Sequence, residues 1–165
     1  GVSCAAPYKH FKDKAAFLLA VTEYINQLWA ERHEAVLKNF TGSARQKLIA
    51  TSMTYIRFLV DNPHVRSIIM MKDSDFSEDF TQSKSRLSLR SQALIRAYCN
   101  EVHMPRNVEL YKTFVVRSII YGAALMIDNG EIENSQEGYD YAEMIISREF
   151  DLSDDYRAAA VETAI

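Results

Sequence analysis

Between Phe114 and Ile127 every residue except Arg117, Ser118 and Gly122 is apolar. A helix that is apolar nearly all round has no face to offer water and must be covered on more than one side. The segment from Val108 to Ile127 therefore has two settings. Either one side meets the chain's own core and the other a partner subunit, or the helix is central to the monomer. Arg117 and Ser118 interrupt the run, which falls short of the ~18 or more consecutive apolar residues expected of a membrane span.

The rest of the chain carries the same period. Phe17, Leu18, Val21, Tyr24, Ile25, Leu28, Trp29, Ala35 and Val36 advance by threes and fours, as on one helix face. Asp13 is placed to cap this helix and Gly42 to end it near Phe40. Ser43 or Ala44 opens a second helix that buries Leu48, Ile49, Met53, Ile56, Leu59 and Val60, and Asn62-Pro63 stops it. A short helix from Pro63 to Met71 and a polar loop from Lys72 to Glu78 follow. Phe80, Leu87, Leu94, Ile95, Tyr98 and Cys99 then mark a long helix, broken at Met104-Pro105, whose exposed side is rich in Ser, Arg and Gln. Asn129-Gly130 ends the apolar helix, and a last one runs from Gln136 to Phe150. Five Gly and three Pro in 165 residues suit long helices better than a turn-rich β-fold. The fold class expected is all-α.

Cys4 and Cys99 lie far apart without metal-ligand spacing, so a reducing cytoplasm is expected, with neither metal nor cofactor. No Glu-x-x-His pair, nucleophile–base arrangement or Gly-rich phosphate loop occurs, which argues against an enzyme. The net charge of −3 is unevenly spread. Lys9, His10, Lys12 and Lys14 crowd one end against Asp13, while the segment 131–162 is strongly acidic. Such a chain meets an anion through one end only.

In that basic end, Ser3 can cap a short helix through Tyr8 or Lys9, Phe11-Lys12 turns, and Asp13 caps again. Lys12 and Lys14 flank a helix N-terminus, the end whose dipole repels cations. They are either phosphate ligands acting with free backbone N–H groups, or a solvated charge cluster. Here the chain resembles the tetracycline-repressor (TetR) family. Its members show a Gly-Val-Ser start to the recognition helix, an aromatic-basic-His-Phe stretch and a Ser/Asp-Lys cap. The counterparts here are Gly1-Val2-Ser3, Tyr8-Lys9-His10-Phe11 and Asp13-Lys14. Tyr55-Ile56-Arg57-Phe58 with Asp61-Asn62-Pro63 also resembles the family's regulatory domains. Pro7 departs from the pattern, since an aliphatic residue is commoner there.

The resemblance implies a remnant of a helix-turn-helix over residues 1–12 and a regulatory ligand-binding and dimerisation bundle over residues 13–165. It implies that two further helices precede Gly1, without which operator DNA is not bound specifically. Ser3, Ala5, Tyr8, Lys9 and His10 would lie at the DNA surface, with Tyr8 and Lys14 on phosphates; Tyr8 can equally pack between helices. The implied function is a cytoplasmic, ligand-responsive repressor on a palindromic operator, released by a small, largely apolar effector. Trp29, His33, Met53, Ile56, Tyr98, Tyr111 and Phe114 are the inner-face residues that would line its pocket, although helical spacing selects core residues whether or not a cavity exists. The family's habit of dimerising through its last two major helices points to 108–128 and 136–150 for the homodimer. A helical ligand-binding or interaction module with no DNA role is the alternative.

Overall fold

A computed structural model of the chain describes residues 10–72 and 77–151. The described residues form six helices: α1 Lys14–Leu37, α2 Ala44–Asp61, α3 Pro63–Ile69, α4 Glu78–Glu101, α5 Arg106–Asp128 and α6 Gln136–Glu149. The fold is all-α, and the described residues include no strand.

Local signals set most of the boundaries. The Asp13 carboxylate accepts the Ala16 amide at 2.8 Å and starts α1, with Phe11 edge-on to Phe17 just outside it. Ser43 and Gln46 form a reciprocal capping box on α2, satisfying two backbone donors at once. Pro63 occupies the first turn of α3, where its missing N–H costs nothing. Gly130, at φ +75°, closes α5 in a Schellman turn, with Glu131 N–H donating to Met126 and Gly130 N–H to Ile127. His103 plays the same part after α4 at φ 53°, a left-handed conformation that a non-glycine residue adopts only at a cost. The ends of α1 and α3 come earlier than periodicity predicts, at Leu37 and Ile69.

The six helices make two groups of three that share α2. In one, α1, α2 and α4 pack together; in the other, α2, α5 and α6 do, while α3 sits against α2. α2 touches all five other helices, and Leu48, Ile49, Met53, Ile56, Phe58 and Leu59 are buried around it. It also carries hydroxyls inward. Ser52 and Thr54 satisfy theirs on the carbonyls of Leu48 and Ala50, one turn back. α4 and α5 meet only sparsely, so the two groups diverge on that side.

Polar contacts hold the periphery. Asn26 donates to the Ser83 carbonyl across α1 and α4, beside the exposed pairs Arg86–Glu23 and Arg90–Glu34. Exposed pairs of this kind contribute little each. More is at stake where part-buried Arg45 donates to the carbonyl of Ser147 in the last turn of α6 and to that of Phe150 just after it, fastening α2 to the C-terminal end of α6, where helical carbonyls run short of amide partners. Buried Tyr98 donates its hydroxyl to the same Phe150 carbonyl. Buried Arg66 pairs with Asp128 and ties α3 to the end of α5.

α5 is long and apolar enough to cross a membrane by length and composition alone. Here it lies in the bundle, with Val108, Val116, Ile120, Ala124 and Ile127 in the core. Its opposite side leaves Leu110, Tyr111, Phe114, Leu125 and Met126 exposed.

Phe58 is fully buried among Trp29 and Tyr55, whereas Phe114 is 71% exposed. Phe58→Ala should lower unfolding stability by about 3–5 kcal/mol, the range for deleting a core aromatic. Phe114→Ala should change the stability of the monomer by no more than about 0.5 kcal/mol in urea titrations.

Candidate functional site

The divergence of α4 from α5 leaves a cavity of about 670 Å³, floored by α2 and lined also by Ile69 at the end of α3 and by Met70 just after it. That lies within the ~300–1,000 Å³ typical of small-molecule sites. Its walls differ in chemistry. Leu48, Leu87, Ile95, Val116 and Ile120 supply an apolar lining. Ser85, Ser88, Ser91 and Gln92 supply a polar wall along α4. Ser85 and Ser88 donate their hydroxyls to the carbonyls of Gln82 and Ser85, and Gln92 donates to the Ser88 hydroxyl oxygen.

Thr51 stands at the floor. It is only 2% exposed, it lines the cavity, and its hydroxyl has no hydrogen-bond partner. Its neighbours Ser52 and Thr54 turn back onto their own helix; Thr51 does not. A buried hydroxyl left in that state costs on the order of 1–3 kcal/mol unless something accepts or donates to it. One turn further along α2, Tyr55 faces the same space opposite Tyr121 of α5, with ring centroids 6.5 Å apart. Burial first, and then the adjoining Tyr121 hydroxyl, push the Tyr55 phenol well above its ordinary pKa, while Arg117 pulls the other way. Tyr55 is therefore a neutral hydrogen-bonding group at any physiological pH.

Four cationic side chains line the cavity, Lys84, Arg96, Arg106 and Arg117, against the single carboxylate of Glu109. Arg106 pairs with Glu109, and Lys84 donates to the Met71 carbonyl. The cavity is thus strongly positive in a chain of net charge −3.

None of the seven residues expected from the sequence lines this cavity. Trp29, His33, Met53, Ile56 and Tyr98 are buried in the core instead. Trp29 comes nearest, packing on Tyr55 at 4.6 Å between centroids and so lying one layer behind the floor. Tyr111 and Phe114 are corrected outright: at 63% and 71% exposed they face away from the core. An all-round apolar helix gives periodicity nothing with which to choose its inner face. The residues that do line the cavity had two signals in the sequence. Arg117 is the sole charge in the apolar run 114–127, and the Ser/Arg/Gln side of α4, expected to face solvent, is the polar wall. Ser3, Ala5, Tyr8 and Lys9 lie outside the described residues. His10 and Lys14 are exposed, Lys14 in the first turn of α1.

Among the described residues no group of His, Cys, Asp and Glu is placed to hold a metal. Burial, and secondarily Glu109, push the Cys99 thiol up to about 11, so it is not a thiolate at neutral pH.

No family model matches this chain, and no curated protein does. Among solved structures it is similar to a protein of unknown function from Rhodococcus sp. RHA1, with a TM-score of 0.69 at 18% identity over 91% of this chain and 77% of that one. At that identity the likeness establishes a shared helical fold.

His33 supplies a pH test of the core behind the cavity. Its ring is buried edge-on to Trp29, and its Nε2 has no partner. Burial first, then Arg90, lower its pKa below 6.5, outweighing the opposite pull of Glu34. The unfolded chain takes up that proton at a higher pH than the folded one, so acid favours unfolding. The stability present above about pH 6.5 is lost as pH falls toward the folded value. The thermal midpoint should fall between about pH 7 and pH 5, and His33→Leu should flatten that part of the profile.

Proposed function

We propose that this chain is the ligand-binding and dimerisation part of a cytoplasmic, ligand-responsive transcriptional regulator of the tetracycline-repressor type. In this reading the protein represses from a palindromic operator as a dimer and is released by a small, largely apolar effector. The observation that carries it is the cavity between α2, α4 and α5 with an unpartnered buried hydroxyl in its floor. A bundle packed for stability alone would have closed that space, since voids and orphaned polar groups both cost stability.

Two further features support the reading. α1 runs from the exposed Lys14 to the aromatic cluster behind the cavity, where Trp29 meets Tyr55. A ligand that moves Tyr55 thus acts on the helix that carries the basic N-terminal segment. Release from DNA then follows as a population shift between two spacings of the DNA-binding heads, which takes several kcal/mol of differential ligand affinity.

The second feature is the apolar surface shared by the last two helices. Tyr111, Phe114, Leu125 and Met126 on α5 join Tyr141, Met144 and Ile145 on α6. Gly122 lies on α5 with open space around the position of a side chain, which permits close approach of another helix. A second copy of the chain, related by a two-fold axis, would cover this surface as a four-helix bundle. Phe114→Asp should convert the dimer to a folded monomer in sedimentation or light scattering, because the residue contributes nothing to its own core; an unchanged dimer places the interface elsewhere.

The regulatory reading is tested by selecting bound sequences from random DNA with the full-length gene product at several salt concentrations. Enrichment of a palindrome is the expected result. Weak, uniform, salt-sensitive binding overturns the DNA role and leaves a helical ligand-binding module.

A further inference from the structure

The lining of the cavity specifies more than its volume. Thr51 and Tyr55 are four residues apart on α2, and Arg117 and Tyr121 four apart on α5, so each pair stands side by side on one helix face. The Tyr55–Tyr121 ring contact brings the two pairs together, and the Arg117 charge is close enough to act on the Tyr55 phenol. Three hydroxyls and a guanidinium thus share one part of the cavity. Arg117 has no ion-pair partner among the described residues, and neither does Arg96 further along the cleft. The adjoining lining of Leu48, Ile95 and Val116 offers nothing polar.

We propose that the ligand is an amphipathic carboxylate, its anion held by Arg117 and the Thr51 hydroxyl and its apolar body lying along Leu48, Ile95 and Val116. This rests on the cavity being the effector site. A guanidinium forms charge-assisted hydrogen bonds to a carboxylate about twice as strong as neutral ones. The surplus of cations in a partly enclosed cleft raises the local concentration of anions and works against cationic molecules. A neutral molecule of the same size would leave Arg117 without a counter-charge. A cation would meet like charges.

Three matched probes of equal chain length separate the possibilities: decanoate, decanol and decyltrimethylammonium, followed by carboxylates from hexanoate to tetradecanoate. Binding is read by calorimetry and by the fluorescence of Trp29, the only tryptophan, which packs on Tyr55. Decanoate should bind at least about tenfold more tightly than decanol, the worth of one charge-assisted hydrogen bond, and the cation not at all. Arg117→Gln should remove most of that advantage while leaving decanol unchanged. Arg117 is exposed and unpaired, so the variant should fold as the parent does.

Thr51→Val gives a readout that a purely structural role could not produce. It should weaken decanoate yet raise the thermal midpoint of the unliganded protein by about 2–4 °C, because it removes an unsatisfied buried hydroxyl without changing shape. Decanol binding as tightly as decanoate, or no carboxylate binding at all, overturns the proposal. Ser88→Trp, which fills the cleft from its outer wall, separates that failure from failure of the site. Binding that survives Ser88→Trp shows that ligands bind elsewhere and overturns the cavity reading as well.

Discussion

The structure depends on burying α2 on every side. Its apolar residues point in all directions, and each of the other helices covers part of it. At ~25 cal/mol per Å² of apolar surface, the interior around Leu48, Ile56, Phe58 and Leu59 is the main source of stability available to a domain of this size. Two helix pairs, α1 with α4 and α5 with α6, satisfy α2 from opposite sides, which leaves α4 and α5 without reason to close on each other. The cavity is the geometric remainder of that arrangement. Its polar lining is what keeps it from being a packing defect.

The same constraint explains the placement of charge. Arg45 and Arg66, which approach the core, are committed to helix ends: Arg45 to the last carbonyls of α6, Arg66 to Asp128 at the end of α5. Arg57 lies over the Tyr139 ring at 3.9 Å and binds α2 to α6. The cations around the cleft have no such structural duty apart from Arg106 and Lys84. Arg96 and Arg117 are thus charges in the cavity lining that no ion pair among the described residues uses.

Helix order and most caps were legible in the sequence because they are local. Asp13, the Ser43–Gln46 box, Asn62-Pro63 and Gly130 act within one or two turns of themselves, and all function as their residue types dictate. The cavity was not legible, for a reason that periodicity cannot overcome. Hydrophobic spacing identifies what packs, and a cavity is where packing stops. It therefore selected Trp29, Met53 and Ile56, the residues that fill the core, and passed over Thr51 and the serines of α4. Tyr111 and Phe114 went astray because a helix apolar all round has no inner face until its neighbours are known.

The claim that joins these observations is that the space between α2, α4 and α5 is a ligand site with its polar end at Thr51 and Arg117. A crystal structure of the protein with the tightest-binding carboxylate of the series tests it most directly. The account predicts the carboxylate within hydrogen-bonding distance of the Arg117 guanidinium and the Thr51 hydroxyl, with the chain along Leu48, Ile95 and Val116. A ligand seated elsewhere, or α4 collapsed onto α5 with Thr51 bonded to its own helix, would contradict it.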